Sequence, residues 1–300
     1  MRKEKGQKLW KKAKKVIPGG NMLFSKRSEL LLPDKWISYY SKTNGAFIWD
    51  LNNKKYLDML FYVGTCTLGY NNKKVNNHVK KIINKGVMSS LNCPDEVKLA
   101  EKLIELHPWA DMARFCRSGG EANSVAIRIA RAASGNDKVA ICGYHGWHDW
   151  YLSANLKKNK LDEHILPGLP VKGVPKVLSK TVFPFEYNNF KQLEKIVKEQ
   201  KIGTIKMEVA RSSQPKNDFL KKVRKLADRN NIILIFDECT SGFRQTFGGM
   251  HKLYKVEPDI AMFGKALGNG YAITAVIGRK EIMDCAQDSF ISSTFWTERI

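Results

Sequence analysis

Four short segments place together residue types that could act on a bound small molecule. Arg117–Ser124 reads RSGGEANS, two consecutive glycines ahead of a helical pattern. Such a backbone lets N–H groups approach an anion, and a helix N-terminus adds unpaired donors and a positive dipole end. This predicts a phosphate site at Ser118, Gly119 and Gly120, although an ordinary tight turn would carry the same glycines. Gly143–Trp150 reads GYHGWHDW. Tyr144 offers a flat face for stacking a heteroaromatic ring, while His145, His148 and Asp149 are candidate metal ligands. No third cluster completes a ligand shell, so no metal is expected. Asp237 closes the apolar run IILIFD. A carboxylate there must meet a cation or cap the next helix. Lys265, in MFGKALGNG, follows a further apolar run. Desolvation would lower its amine's pKa as a Schiff-base lysine needs; the alternative is one more solvent-facing lysine.

A phosphate cradle, an aromatic platform, an acid for a pyridinium nitrogen and an aldehyde-trapping lysine are together the parts that bind pyridoxal 5'-phosphate. Nucleotide motifs do not explain the glycines, because the chain has neither Gly-x-x-x-x-Gly-Lys-Ser/Thr nor Gly-x-Gly-x-x-Gly.

The elements that must position these residues follow from hydrophobic periodicity. Met112–Arg117 reads as a strand, followed by a helix with Ala122, Val125, Ala126, Ile129 and Ala133 on one face. Further strands are expected at 138–143, 204–209, 232–236, 260–263 and 273–277, with helices at about 189–201 and from Asp218, the latter burying Phe219, Val223 and Leu226. The 167–175 stretch, rich in Pro and Gly, reads as irregular. Short apolar runs alternating with amphipathic stretches indicate an α/β domain with a mainly parallel sheet sandwiched by helices. In open sheets of this kind ligands collect beyond the carboxyl ends of the strands, where all four segments fall. Earlier in the chain, GAFIWDLNNKKYLDM reads as a hairpin turning at Asn52-Asn53. Residues 1–90 are expected to form an N-terminal segment and accessory lobe, and 91–300 the large cofactor-binding domain.

The chain has 300 residues with 51 Lys+Arg against 29 Asp+Glu, a formal charge of +22. A basic surface attracts phosphate backbones, but 39 of the cations are Lys and only 12 Arg. Bidentate base and phosphate contacts favour Arg. The one dense cluster, Lys11, Lys12, Lys14 and Lys15, reads as a solvated helix face, and nucleic acid is not an expected partner. No apolar run approaches the roughly 18 residues of a bilayer span, and the basic N-terminus lacks a signal-peptide apolar stretch. The six cysteines are scattered without a Cys-x-x-Cys pair, as reduced thiols of a cytoplasmic protein would be.

Over nearly the whole length the sequence resembles the class III pyridoxal-phosphate-dependent aminotransferases, and most of all glutamate-1-semialdehyde 2,1-aminomutase and its aminotransferase relatives. The segments carrying the resemblance are IPGG at Ile17, GAFIWDLNNKKYLDM, RSGGEANSVAIRIARA, YHGWHD at Tyr144, DECTSGFR at Asp237, FGKALGNG at Phe263 and STFWTE at Ser293. The resemblance implies a fold-type I transferase using pyridoxal phosphate, with Lys265, Asp237 and Tyr144 catalytic. Lys265 would attach the cofactor and Asp237 would partner its ring nitrogen. Gly119 and Gly120 would hold the phosphate, Tyr144 would cover one ring face and Cys239 would pack against the other, with Ser118 and His145 also among the cofactor-binding residues. Glu208 matches an active-site glutamate. Thr294 matches a threonine that reaches the phosphate of a neighbouring subunit, implying a homodimer with shared sites. The small-molecule partners would be an amino donor and a carbonyl acceptor.

Two departures bear on activity. Relatives continue past STFWTE into a C-terminal lobe, so that lobe is expected to be missing and the chain to be a fragment. The aminomutase carries a carboxylate-gripping arginine shortly after PGG, where this chain has Lys26 and Arg27 in NMLFSKR. The reading is therefore an aminotransferase, with a true aminomutase or a non-catalytic relative that retains the cofactor as alternatives.

Overall fold

Parity along the strands decides which residues meet which helix. The computed structural model describes residues 5–156, 169–210 and 212–300, so Pro167 and Gly168 of the irregular stretch lie outside the described residues. It divides into two compact units, Met1–Lys80 and Lys81–Ile300.

In the first unit, the helix Lys5–Val16 buries Trp10 and Ala13 and leaves Lys11, Lys12, Lys14 and Lys15 exposed. A three-stranded antiparallel sheet follows, built from β1 (Tyr40–Asn44), β2 (Phe47–Asp50) and β3 (Lys55–Leu57) in that order. The expected hairpin is β2–β3. Its turn is pinned by Asp50 Oδ1, which accepts from the backbone N–H of Asn52 at 2.8 Å and of Lys54 at 2.9 Å, with Asn53 at φ +64°. The added edge strand β1 reads YSKTN and is almost wholly exposed, so it carries no apolar alternation to announce it.

The second unit holds a seven-stranded sheet: β4 (Met112–Cys116), β5 (Val139–Cys142), β6 (Val182–Pro184), β7 (Thr204–Glu208), β8 (Ile233–Glu238), β9 (Ile260–Phe263) and β10 (Thr274–Gly278). The order is β4-β10-β9-β8-β7-β5-β6. Only β10 runs against the others. On one face the helix Gly119–Ser134 sets Val125, Ala126 and Ile129 against Ile141, Ile235, Met262 and Val276. On the other, the helices Phe190–Gln200 and Phe219–Arg229 bring Leu193, Phe219 and Val223 onto Ile205, Met207, Leu234 and Phe236. Alternate residues of one strand thus enter different cores, as the period of two requires. Burial on both faces explains the uninterrupted apolar reading of β8.

Within this sheet the structure departs most from expectation at two strands. β6 has three residues and ends in proline at the sheet edge, where a missing N–H breaks no ladder. β8 continues through Asp237 and Glu238 instead of stopping at Phe236, because Asp237 has register partners on both sides, Glu208 and Met262. No described helix is long and apolar enough to cross a membrane.

Candidate active site

Since β4, β5, β7, β8 and β9 all point one way, their carboxyl ends share an edge of the sheet. That edge carries Arg117–Gly120 after β4, Gly143–His145 after β5, Glu208 at the end of β7, Asp237 and Cys239 at the end of β8, and Lys265 after β9.

Asp237 and His145 form a buried pair. His145 Nδ1 lies 2.8 Å from Asp237 Oδ2, and both side chains are almost wholly removed from solvent. The second carboxylate oxygen accepts from the Cys239 backbone N–H at 3.0 Å. Burial alone would raise the Asp237 pKa. The charge of Lys206 and the His145 hydrogen bond outweigh it and hold the carboxyl well below the usual range. Burial pushes His145 down against the pull of Asp237, and because an ionised carboxylate only accepts, the Nδ1 facing it carries the hydrogen. Trp150 stacks on it at 6.4 Å between ring centroids.

Ser118 is the N-cap of the helix Gly119–Ser134. Its hydroxyl accepts from Glu121 N–H, and Glu121 Oε2 accepts from the N–H groups of Ser118 at 2.8 Å and Arg117 at 3.0 Å. This capping box leaves Gly119 and Gly120 as the first-turn donors it does not use. The loop after β5 packs on them. A β-carbon built on Gly120 would meet His148 Nε2 at 3.3 Å, and one on Gly146 would meet Gly120 Cα at 3.1 Å.

Glu208 holds that loop in place, its Oε2 accepting from Tyr144 N–H at 3.1 Å. Gly143, at φ +113°, is required there twice over, since a β-carbon would sit 2.7 Å from the same Glu208 oxygen. Tyr144 is half-buried, edge-on to Tyr151 at 6.0 Å.

Lys265 occupies the left-handed region at φ +44°, a costly conformation for a residue with a β-carbon. Its Nζ donates to Thr240 Oγ1 at 2.7 Å. Cys239 is buried between the strand ends and the helix N-terminus: β-carbons built on Gly264 and Gly119 would lie 3.3 Å and 3.9 Å from its Sγ. Burial raises its thiol well above the ordinary range. Thr294 is the one candidate not drawn into this cluster. It is exposed at the start of a single 3-10 turn, Thr294–Thr297, while its neighbours are tied down through Arg117 Nε to Phe295 O at 2.7 Å and Trp296 Nε1 to Glu121 Oε1 at 3.3 Å.

The family model for class-III aminotransferases matches residues 33–300. This chain belongs to the class-III aminotransferase family. It is 35% identical over 298 residues to 3-aminobutyryl-CoA aminotransferase of Cloacimonas acidaminovorans, covering 96% of this chain and 68% of that protein. It is 36% identical over 285 residues to glutamate-1-semialdehyde 2,1-aminomutase of Nitrosopumilus maritimus, covering 92% and 65%. Among solved structures, the PLP internal aldimine form of the FumI protein from Sphingopyxis sp. MTA144 superposes with a TM-score of 0.87 at 26% identity, over 98% of this chain and 69% of that one. An omega-transaminase from Sphaerobacter thermophilus superposes with 0.85 at 26% identity, again over 98% and 69%. The chain thus spans roughly two thirds of the length of these class-III aminotransferase relatives.

Sequence reasoning missed several residues of the site in this member of the class-III aminotransferase family. Thr240, the partner of Lys265, lies three positions after Asp237 in DECTSG, and its hydroxyl was the available signal. Lys206 in GTIKMEV is a cation inside an apolar strand, which is itself a signal. The Ser124–His148 hydrogen bond, with Trp150 Nε1 donating to the same hydroxyl at 3.2 Å, links the helix to the loop after β5. No group of three or more His, Cys, Asp or Glu side chains placed to hold a metal ion is found among the described residues.

Proposed function

We propose that this chain carries the cofactor domain of a pyridoxal-phosphate-dependent aminotransferase that moves an amino group from a small-molecule donor to a separate carbonyl acceptor. The observation carrying the reading is the buried Asp237–His145 pair at the same sheet edge as the Lys265 amine. A buried carboxylate held ionised at a strand end can accept a hydrogen bond from a protonated ring nitrogen, and the nearby primary amine can link to an aldehyde.

The donor set suits pyridoxal phosphate. Two glycine N–H groups at a helix N-terminus match a phosphate, a buried carboxylate matches a protonated ring nitrogen, Tyr144 matches a ring face and a primary amine matches an aldehyde. When bound, the cofactor supplies the carbonyl that links covalently to amines and a ring that draws electrons from the α-carbon. Gly119 and Gly120 bind the phosphate beside the Ser118 hydroxyl. Asp237 holds a proton on the ring nitrogen, with His145 fixing the carboxylate's orientation. The buried Cys239 would help exclude water from the cofactor's ring. Lys265 Nζ would be the amine that holds the cofactor's aldehyde, and as a free amine it could take a proton from the donor's α-carbon and give it up again, with Thr240 Oγ1 orienting it.

In the same reading, residues 91–300 form the cofactor domain and 1–90 an accessory lobe. The enzyme is a cytoplasmic homodimer, and exposed Thr294 completes the phosphate site of a second copy. The free cysteines suit a reducing compartment. Mutase activity is the second reading, favoured by the aminomutase among the relatives. Within the first unit Lys26 Nζ lies 3.9 Å from the Tyr62 ring centroid and Arg27 lies over Phe24 at 5.0 Å. Lys26 lacks the bidentate fork of an arginine, and Arg27 packs against Gly19. Intermolecular transfer is therefore preferred. Supplying glutamate-1-semialdehyde alone decides between them: no 5-aminolevulinate, with turnover when a separate amino donor and acceptor are offered, supports the transferase, whereas efficient 5-aminolevulinate formation establishes the mutase.

A further inference from the structure

Lys206 is a fully buried cation that the chemistry above does not use. It belongs to β7, where it pairs in register with Ile235 of β8. Its Nζ donates to Met262 Sδ at 2.9 Å, and Met262 belongs to β9, two strands away, in register with Asp237. Two strand spacings are about 9.5 Å. The ammonium and the thioether therefore meet above the intervening strand β8, on the face bearing Ile235 and, by the period of two, Asp237. That face is covered by Ala122, Val125, Ala126 and Ile129 of the helix Gly119–Ser134, none of which bears a charge. A thioether is a weak acceptor and does little to offset the desolvation of an ammonium. Of the carboxylates on this face, Glu208 of β7 itself accepts from the Tyr144 N–H, and Asp237 is the one in register with Met262.

We propose that Lys206 is the resident counter-cation of Asp237, a positioning residue that keeps the carboxylate ionised and moderates its hold on a proton at the ring nitrogen of bound pyridoxal phosphate. The second half rests on the proposed function; the first does not. The groups facing Asp237 are His145 from the loop after β5 and Lys206 from β7; those facing Lys206 are Asp237, Cys239 at the end of β8 and Glu208 of β7. Burial pushes the Lys206 ammonium below its ordinary value, and those three groups push it back up. One carboxylate is thereby shared between two cations when the cofactor is bound. A cation beside Asp237 opposes a second positive charge on the ring, so removing Lys206 strengthens proton retention there while making Asp237 itself easier to protonate when the site holds no cofactor. An adjacent opposite charge shifts a carboxylate by about one to three units.

The test compares the parent with Lys206→Met, which keeps the volume and removes the charge; Lys206→Gln serves as a second neutral variant should the first not fold. Without cofactor, the Asp237 carboxyl is followed by carbon-13 NMR in aspartate-labelled protein, its signal assigned by its loss in Asp237→Asn. The parent signal should stay ionised to the acid limit of the folded state, and the variant should protonate at least about one unit above that limit. An Asp237 signal that stays ionised throughout in both neutral variants overturns the pairing. With ring-nitrogen-15-labelled pyridoxal phosphate, the variant should retain the ring proton to a pH at least about one unit higher than the parent, a tenfold change in proton affinity. Identical nitrogen titrations overturn the tuning. Failure of the parent itself to retain the labelled cofactor overturns the proposed function, while the Asp237 titration still judges the pairing.

Discussion

His145 Nδ1 lies 2.8 Å from Asp237 Oδ2, joining two strand ends that stand 92 positions apart in the chain. The pair gives the protein an acid-sensitive link. Asp237 is depressed, so its contribution is complete above the unfolded value of about 3.9 and is lost as pH falls through the lower folded value. His145 is also depressed, so the unfolded chain takes up a proton below about 6.5 that the folded chain refuses. Both effects weaken the fold towards acid.

His145→Phe should therefore cost about 2–4 kcal/mol at pH 7, because the carboxylate loses a donor while remaining buried. The deficit should shrink between pH 7 and pH 5, where only the parent carries the histidine penalty. Urea unfolding at both pH values checks this. A deficit independent of pH would show that His145 does not titrate with folding.

Asp237→Asn keeps the hydrogen-bonding shape and removes the charge. Cofactor retention should survive, while amino transfer should fall by at least about a hundredfold, since a neutral amide cannot hold the ring nitrogen protonated. Turnover within about threefold of the parent would show that the charge is not needed.

Much of this site was legible in the sequence because its parts sit where apolar strands end. The runs giving β8 and β9 are buried on both faces, so they stand out and mark Asp237 and Lys265 as the residues after them. The polar strand β1 has no such contrast, and β6 is too short for a period to register. The helix Pro94–Leu106 carries its own start signals, Pro94 at its first position and Asp95 and Glu96 in its first turn. Pairings across the sheet were illegible for a different reason. That His145 meets Asp237, or that Lys206 reaches past β8 to Met262, depends on the strand order, which a single sequence does not display.

Gly143→Ala should displace the loop that carries Tyr144, because the new methyl group would sit 2.7 Å from Glu208 Oε2 at φ +113°. A loss of about 2 kcal/mol or more is expected, together with weaker cofactor retention. Gly135→Ala is the control, having positive φ but nothing within 4 Å of its β-carbon. It should cost only about 1 kcal/mol and leave retention unchanged. Equal effects at both positions would mean that backbone strain, not the Glu208 contact, is what matters.

The left-handed conformation of Lys265 separates two ways of deleting its amine. Lys265→Gly should be more stable than Lys265→Ala by about 1 kcal/mol, since only glycine adopts φ +44° without a steric penalty. Thermal unfolding of the two variants without cofactor measures the difference. Alanine equal to or better than glycine would contradict the strained backbone.

In the proposed function Lys265 is the amine that carries the cofactor. Protein incubated with pyridoxal phosphate, reduced with borohydride and digested should yield one pyridoxyl-bearing peptide containing Lys265, and Lys265→Ala should yield none. A pyridoxyl group spread over many of the chain's lysines, or fixed at a single other lysine, would contradict the account.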